Sequence, residues 1–383
     1  MKKFALSILA VATLISGSGC GQQKNVPMKE GSVTDYSLSF FKKVVEGSDK
    51  NENVFVSPYS AGVALAMLSE GSEGQTHQEL VTALNGLDFT SFTPVADTAA
   101  DVRIANSIWI NDKFQVKPEY LDLLSGKYDA LVSNLDFSAP SGVDVINGWC
   151  REKTEGKITE ILDRLDEEMV LFLMNALYFK VPWQKEFDVK KTSEDAFYGS
   201  MRKTQIPFMC AEDKFGYAEY QGCQLVSLPY AGGRYSMLVL LPAPEMTPES
   251  VLPYMNDDTY KKALESLSTR KIYLKMPKFK LETSSVLNDV LMAMGVHKVF
   301  GRNAELGGMT SAQVAVDQVK QKCFIEVNEA GSEAAAVTSI GVRLTSAVPG
   351  SLLPTVVVNR PFLFAIADNH TGNLLFTGKI MNL

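Results

Sequence analysis

The sequence predicts an α+β fold in one large domain, and three observations carry that prediction. Strand-like and helix-like stretches are mixed without regular βα alternation. An apolar run at 169–179, MVLFLMNALYF, is interrupted only by Asn175 and reads as a central strand buried on both faces. The 383-residue chain is 46% hydrophobic and 21% charged, with no convincing interdomain linker and no internal repeat, so it has material for a large core.

The elements follow in order. Residues 1–19 read as an export signal: Lys2 and Lys3 start it, 4–15 are apolar, and 16–19 are small. The apolar part is short for a membrane span. Its Gly19-Cys20 ending fits a bacterial lipoprotein signal with Cys20 as the lipidated residue, although Gly17 stands where an aliphatic residue is usual. Plain secretion with cleavage nearby is the alternative. The polar stretch from Cys20 to residue 31 then serves as a tether to a domain over 32–383.

Within that domain, helical spacing marks 36–45, and 54–56 is a short buried strand. Ser57-Pro58 supplies a cap and a first-turn proline for a helix over 57–68. Helices are expected at 76–84, 118–128, 143–155, 248–267 and 283–294. Strands are expected at 104–110, 169–179, 223–228, 235–241, 271–279, 318–327, 355–358, 362–368 and 373–380. The connection between 85 and 102 is short and weakly patterned.

Several functions are excluded. Net charge is −7 and the basic residues are scattered, which disfavours nucleic acid and heparin-like polyanions as partners. His77, His297 and His370 lack metal-ligand spacing, and neither a metal nor a cofactor is expected. Cys150, Cys210, Cys223 and Cys323 form no CxxC pair and have apolar neighbours, so they read as small core residues rather than a disulfide framework. No GxSxG elbow or phosphate-binding glycine loop occurs. Ser268-Thr269-Arg270-Lys271 matches SxxK, but no KTG accompanies it, and chance explains the match. The chain does not read as an enzyme.

The segment 329–346, EAGSEAAAVTSIGVRLTS, is soluble in composition yet capable of forming a strand. Ser332, Ala334, Ala336, Thr338, Ile340 and Val342 are small, β-branched or apolar, while both charges, Glu333 and Arg343, fall on the opposite face with Ala335. Alternation would place the even face on a core and both charges in water. No proline interrupts the segment before Pro349. Gly331 can absorb a change of backbone direction behind the strand at 318–327. A plain linker or a permanent edge strand remains the other reading of this pattern.

The rest of the chain resembles the serpin family over essentially the whole of 32–383. NVFVSPYSAGVALAMLSEGSEGQTHQEL at 53–80, NALYFKVPWQKEF at 175–187, Pro277-Lys278-Phe279, VNEAGSEAAA at 327–336, Asn359-Arg360-Pro361-Phe362 and Phe376-Thr377-Gly378-Lys379 carry the resemblance in order. It implies a serpin fold of three β-sheets and eight to nine helices with an exposed reactive-centre loop, about 329–354. It also implies irreversible inhibition of serine, and possibly cysteine, endopeptidases. The protease cuts the loop, which then enters the central sheet as a new strand and carries the acyl-enzyme with it. A non-inhibitory binding or carrier protein is the alternative.

The resemblance assigns a hinge to Glu329, Gly331, Ser332, Glu333, Ala334, Ala335 and Ala336. It assigns gating roles, in the family's shutter and breach, to Ser57, Ser60, Asn175, Trp183 and Gln321. Ser57, Ser60 and Asn175 are expected to share hydrogen bonds. Gln321 stands where the family carries a histidine, which puts any pH response of the gate in doubt. Counted from the hinge, the scissile bond falls at Thr345-Ser346, with cleavage at Arg343 or Leu344 as the alternative. Partners are then elastase-like, subtilisin-like or trypsin-like endopeptidases, without heparin activation, acting on a monomer that meets a membrane only through its N-terminal lipid. The expected location is the bacterial outer membrane or cell surface, otherwise secreted or periplasmic.

Overall fold

The apolar run forms β4 (Leu171–Pro182), in which every residue from Leu171 to Phe179 is buried, as a strand covered on both faces must be. The computed structural model describes residues 32–89, 101–332 and 353–383. β4 lies inside a six-stranded sheet. On one side it pairs antiparallel with β2 (Asp101–Asn111), whose other edge carries β3 (Leu131–Leu135). On its other side lies β11 (Gln318–Val327), followed by the edge strand β10 (Phe279–Val286). The two-residue strand β12 (Gly331–Ser332) sits between β4 and β11 at one end.

A second, nine-stranded sheet holds β1 (Val54–Val56), β15 (Leu374–Ile380), β14 (Phe362–Asp368), β8 (Tyr235–Pro242), β7 (Cys223–Pro229), β6 (Lys203–Tyr220), β9 (Ser268–Pro277) and β13 (Thr355–Val357), with β5 (Ser193–Tyr198) on β6. Two of the three expected sheets are thus joined in one hydrogen-bonded network. The long strand β6 joins them: β5 pairs with its first residues, β7 with its last, and β9 with its middle and last.

Eight α-helices occur among the described residues: α1 (Val33–Gly47), α2 (Pro58–Glu70), α3 (Gly74–Ala83), α4 (Pro118–Tyr128), α5 (Ser141–Lys153), α6 (Pro248–Val251), α7 (Asp257–Ser266) and α8 (Asn288–Ala293). α2 is buried along all of its length except Glu70 and contacts both β4 and β15, so it lies between the two sheets. Its cap is Ser57, whose side chain accepts from Ser60 N. α5 covers the opposite face of the six-stranded sheet, with Ile146, Trp149 and Cys150 packed on Phe172, Met174 and Ala176.

Several expected boundaries move. The helix expected over 248–267 is broken by Pro253 and restarted by a capping box at Asn256 and Thr259. Residues 283–286 finish β10, paired to 320–323, and α8 begins only at Asn288, because the ladder to β11 outweighs local helix preference. β3, β5 and β6 were not anticipated. Along β6 the buried, half-buried and exposed positions never settle into one alternation. Cys150, Cys210, Cys223 and Cys323 are free and buried.

Candidate functional site in the central sheet

The functional geometry lies along the line where β4 meets β11. From Gln318 to Phe324, β11 runs parallel to β4 and pairs with it from Phe172 to Tyr178. Above that ladder the strands part and β12 fills the gap, with Ser332 opposite Val181 on one side and Val327 on the other. The turn from β11 to β12 is closed by Asn328, whose Oδ1 accepts from Ala330 N at 3.0 Å and Gly331 N at 3.3 Å. Gly331 is required by close approach: a Cβ there would run into Val181 O and Pro182 Cα.

A dense set of bonds fixes this turn. Trp183 N donates to Ala330 O at 2.9 Å and Phe187 N to Glu329 O at 2.8 Å. Trp183 Nε1 donates to Asn328 O at 2.9 Å. The Glu329 carboxylate, 7% exposed, takes the Lys278 ammonium at 2.7 Å and the Thr192 hydroxyl at 2.7 Å. Burial alone would push the Glu329 carboxyl up, but the Lys278 and Thr192 donors outweigh it and hold the group below its ordinary value. Ser332 is fully buried, and its hydroxyl lies 2.6 Å from the Tyr230 hydroxyl.

Farther down, Gln321 makes a two-way clasp with the cap of α2. Its Oε1 accepts from Ser57 N at 2.8 Å and its Nε2 donates to Ser57 O at 3.0 Å. Ser57 Oγ donates to Leu375 O at 2.6 Å, which ties the same residue to the second sheet. Of the bonds expected among Ser57, Ser60 and Asn175, the structure has the one from Ser60 N to Ser57 Oγ, but Asn175 joins neither serine. Asn175 Nδ2 donates instead to Asn106 on the neighbouring strand. Asn175 Oδ1 and Ser60 Oγ are buried without a hydrogen-bond partner among the described residues. Asn175 faces Asn106 directly in the β2–β4 register, which is why the side chains meet there.

Glu329, Gly331, Ser332 and Trp183 are thus brought together at one end, and Ser57, Ser60, Gln321 and Asn175 surround the middle of the same seam. Glu333, Ala334, Ala335, Ala336, Arg343, Leu344, Thr345 and Ser346 lie outside the described residues, as do Cys20 and most of the connection 85–102. Sequence reasoning missed Tyr230, Asn328, Thr192 and Asn106 as members of the site. Lys278 was visible only as part of Pro277-Lys278-Phe279. No helix among the described residues is long and apolar enough to cross a membrane, which says nothing of β-barrels.

Comparison with known proteins matches residues 31–383 to the family described as serpin (serine protease inhibitor). Iripin-8 of Ixodes ricinus is 34% identical over 361 residues, covering 88% of this chain and 90% of its own. Human neuroserpin is 28% identical, covering 92% and 91%. Among solved structures, the thermophilic serpin tengpin in its native state superposes with a TM-score of 0.83 at 29% identity, covering 95% of this chain and 96% of its own. Thyroxine-binding globulin complexed with thyroxine shares the fold, with a TM-score of 0.84 at 24% identity and coverages of 91% and 98%.

Two outcomes follow from the geometry. Because the Glu329 pKa is lowered on folding, its contribution is fully present above the unfolded carboxyl value of about 4.3 and is lost as pH falls through the lower folded value. Tryptophan fluorescence, with Trp183 bonded to the same turn, should be flat from neutral pH down to about 5 and change below about 4; Glu329→Gln should remove that acid transition. Gln321→Ala leaves the buried Ser57 N without its partner, while Ser57 O keeps the Ala61 N–H, and should cost about 1–3 kcal/mol in urea denaturation. A loss under about 0.5 kcal/mol would mean the clasp is not holding α2 to the sheet.

Proposed function

Since the chain belongs to the serpin family, whose members are protease inhibitors rather than enzymes, with some non-inhibitory exceptions, we propose that it is a suicide-substrate inhibitor of serine endopeptidases, with cysteine endopeptidases as a second target class, that works by inserting its own cut loop between β4 and β11. The observation that carries this reading is β12. The root of the loop already stands as a strand between β4 and β11, antiparallel to both.

On insertion, continuing the observed register would put Glu333 opposite the exposed Lys180, Ala334 opposite Phe179 and Ile325, and Ala336 opposite Leu177 and Cys323. Thr338 would fall between Asn175 and Gln321, Ile340 between Leu173 and Val319, and Val342 opposite Leu171. Cross-strand neighbours share a face, so the small even positions would meet the main core. The odd positions would not all meet water, as the pattern alone suggested. Below Glu333 they would face the layer under α5 that contains Phe172, Met174 and Ala176.

The exchange is favourable in kind. One parallel ladder is replaced by two antiparallel ones, which are slightly more stable per residue. Thr338 would also bring a hydroxyl to Asn175 Oδ1, a buried acceptor with no partner among the described residues. Hinge positions Glu333 to Ala336 serve this entry, and cleavage falls at Thr345-Ser346, with Arg343 or Leu344 as the other candidates. The signal at 1–19 would direct export and be removed, and lipid on Cys20 would hold the inhibitor at a bacterial surface by the tether.

A second reading, a carrier for a small apolar ligand, has its own observation. Between α1, α7 and the nine-stranded sheet is a cleft lined by Leu38, Leu225, Leu238, Tyr260, Leu374 and Thr377. The Tyr260 and Thr377 hydroxyls there are buried without a partner among the described residues. Thyroxine-binding globulin, solved with thyroxine, has the same fold.

Incubation with elastase, trypsin and subtilisin separates the two. An inhibitor gives an SDS-stable complex, a small released C-terminal fragment whose mass fixes the cut bond, and a nicked form that melts well above the intact one. Ala336→Arg should turn it into a substrate, since the arginine would enter the core unpaired. A carrier is nicked without complex and without the rise in melting temperature. Cys20→Ser should move the protein from the detergent phase to the aqueous phase in extraction; retention in detergent would remove the lipid anchor from this reading.

A further inference from the structure

The root of the loop is held from the second sheet by a buried hydroxyl pair. Tyr230 lies in the turn between β7 and β8, and its hydroxyl reaches Ser332 Oγ at 2.6 Å. Both residues are 0% exposed. The ring has no freedom to swing away. It stacks on Trp183 at 4.5 Å and 9°, meets the Phe179 ring edge-on at 5.1 Å, and its backbone bridges to that of Trp183. Burial pushes the phenol pKa up, so the hydroxyl stays protonated and available as a donor.

The turn before β12 is fastened through Asn328, Glu329 and Ala330, but apart from the Tyr230 contact Ser332 itself, among the described residues, is paired only to Val181 on one side and Val327 on the other. A strand that starts from nothing must first lose backbone entropy before any ladder rewards it, whereas one extended from a seated residue does not. Resting on the inhibitory reading above, we propose that Tyr230 is a positioning residue for strand insertion: its hydroxyl keeps Ser332 seated between β4 and β11, so that after cleavage the new strand grows from a formed bridge. Insertion races hydrolysis of the acyl-enzyme, and the seat biases that race toward the trapped complex.

The test is the number of inhibitor molecules consumed per protease trapped. Tyr230→Phe keeps the ring and its stacking and removes only the hydroxyl, while Ser332→Ala removes the other partner. Each should raise the ratio several-fold, and the double variant should raise it no further than the worse single one. Ser332→Thr, which keeps a hydroxyl, should stay near the unaltered protein. A merely structural pair would lower the melting temperature of the intact protein and leave the ratio where it was; that result, or additive effects of the two variants, overturns the proposal. If the unaltered chain traps no protease and its nicked form melts no higher, the inhibitory reading fails and this one falls with it. If the unaltered chain traps and the variants trap equally well, only the role of Tyr230 is lost.

Discussion

The parallel ladder between β4 and β11 is the constraint on which the other features depend. From Phe172 to Tyr178 the two strands satisfy each other's backbone groups directly, while three residues higher they pair with β12 instead. The seam is therefore occupied by two arrangements at once, one above the other. A buried strand must have its N–H and C=O groups paired, and both arrangements meet that demand. Tyr178 and Val181 stand on the two sides of the boundary between them.

What surrounds the seam holds that boundary in place. Above it, Glu329 is fastened by Lys278 and Thr192 and its turn by Trp183 and Phe187. Below it, Gln321 binds both backbone groups of Ser57, and Ser57 also bonds Leu375, so α2, β11 and β15 meet in one residue. The amide of Gln321 does this without a titratable group. Cys323, the next residue on the same face, has its thiol pushed up by burial and stays neutral. Only the upper fastening carries charge. Acid therefore acts on the turn at Glu329 and not on the clasp at Gln321.

Much of this was legible in the sequence, for identifiable reasons. β4 shows itself because a strand buried on both faces has no polar alternation to hide it, and α2 shows its start through Ser57-Pro58. Gly331 and Ser332 could be singled out because smallness next to a strand end is a local property. Tyr230, Thr192 and Asn106 could not. Their partners stand 102, 137 and 69 residues away in the chain, and nothing in a turn such as PYAGG says which side chain it will meet. β6 stayed hidden for a different reason. It joins two sheets and changes partners along its length, so no single face is buried throughout and no single period appears. Ser57 and Ser60 do share a bond, as residues three apart at a helix cap can, but Asn175 does not join them, because strand register sends it sideways to Asn106.

Under the proposed insertion, the smallness of Ser332, Ala334, Ala336 and Thr338 follows from what already lines the seam. Phe179, Leu177, Leu173 and Leu171 are at most 1% exposed before any strand enters. Parting β4 from β11 makes room for one more strand at the usual spacing, about 4.8 Å, but adds no depth beneath the sheet, where α2 already fills the space up to β15. A side chain entering there finds the width of a backbone and little more. Alanine and threonine fit that width, and overpacking by larger groups is penalised by about 1–3 kcal/mol each. On the insertion proposed above, the even positions from Ser332 to Thr338 are the complement of a core that is complete without them.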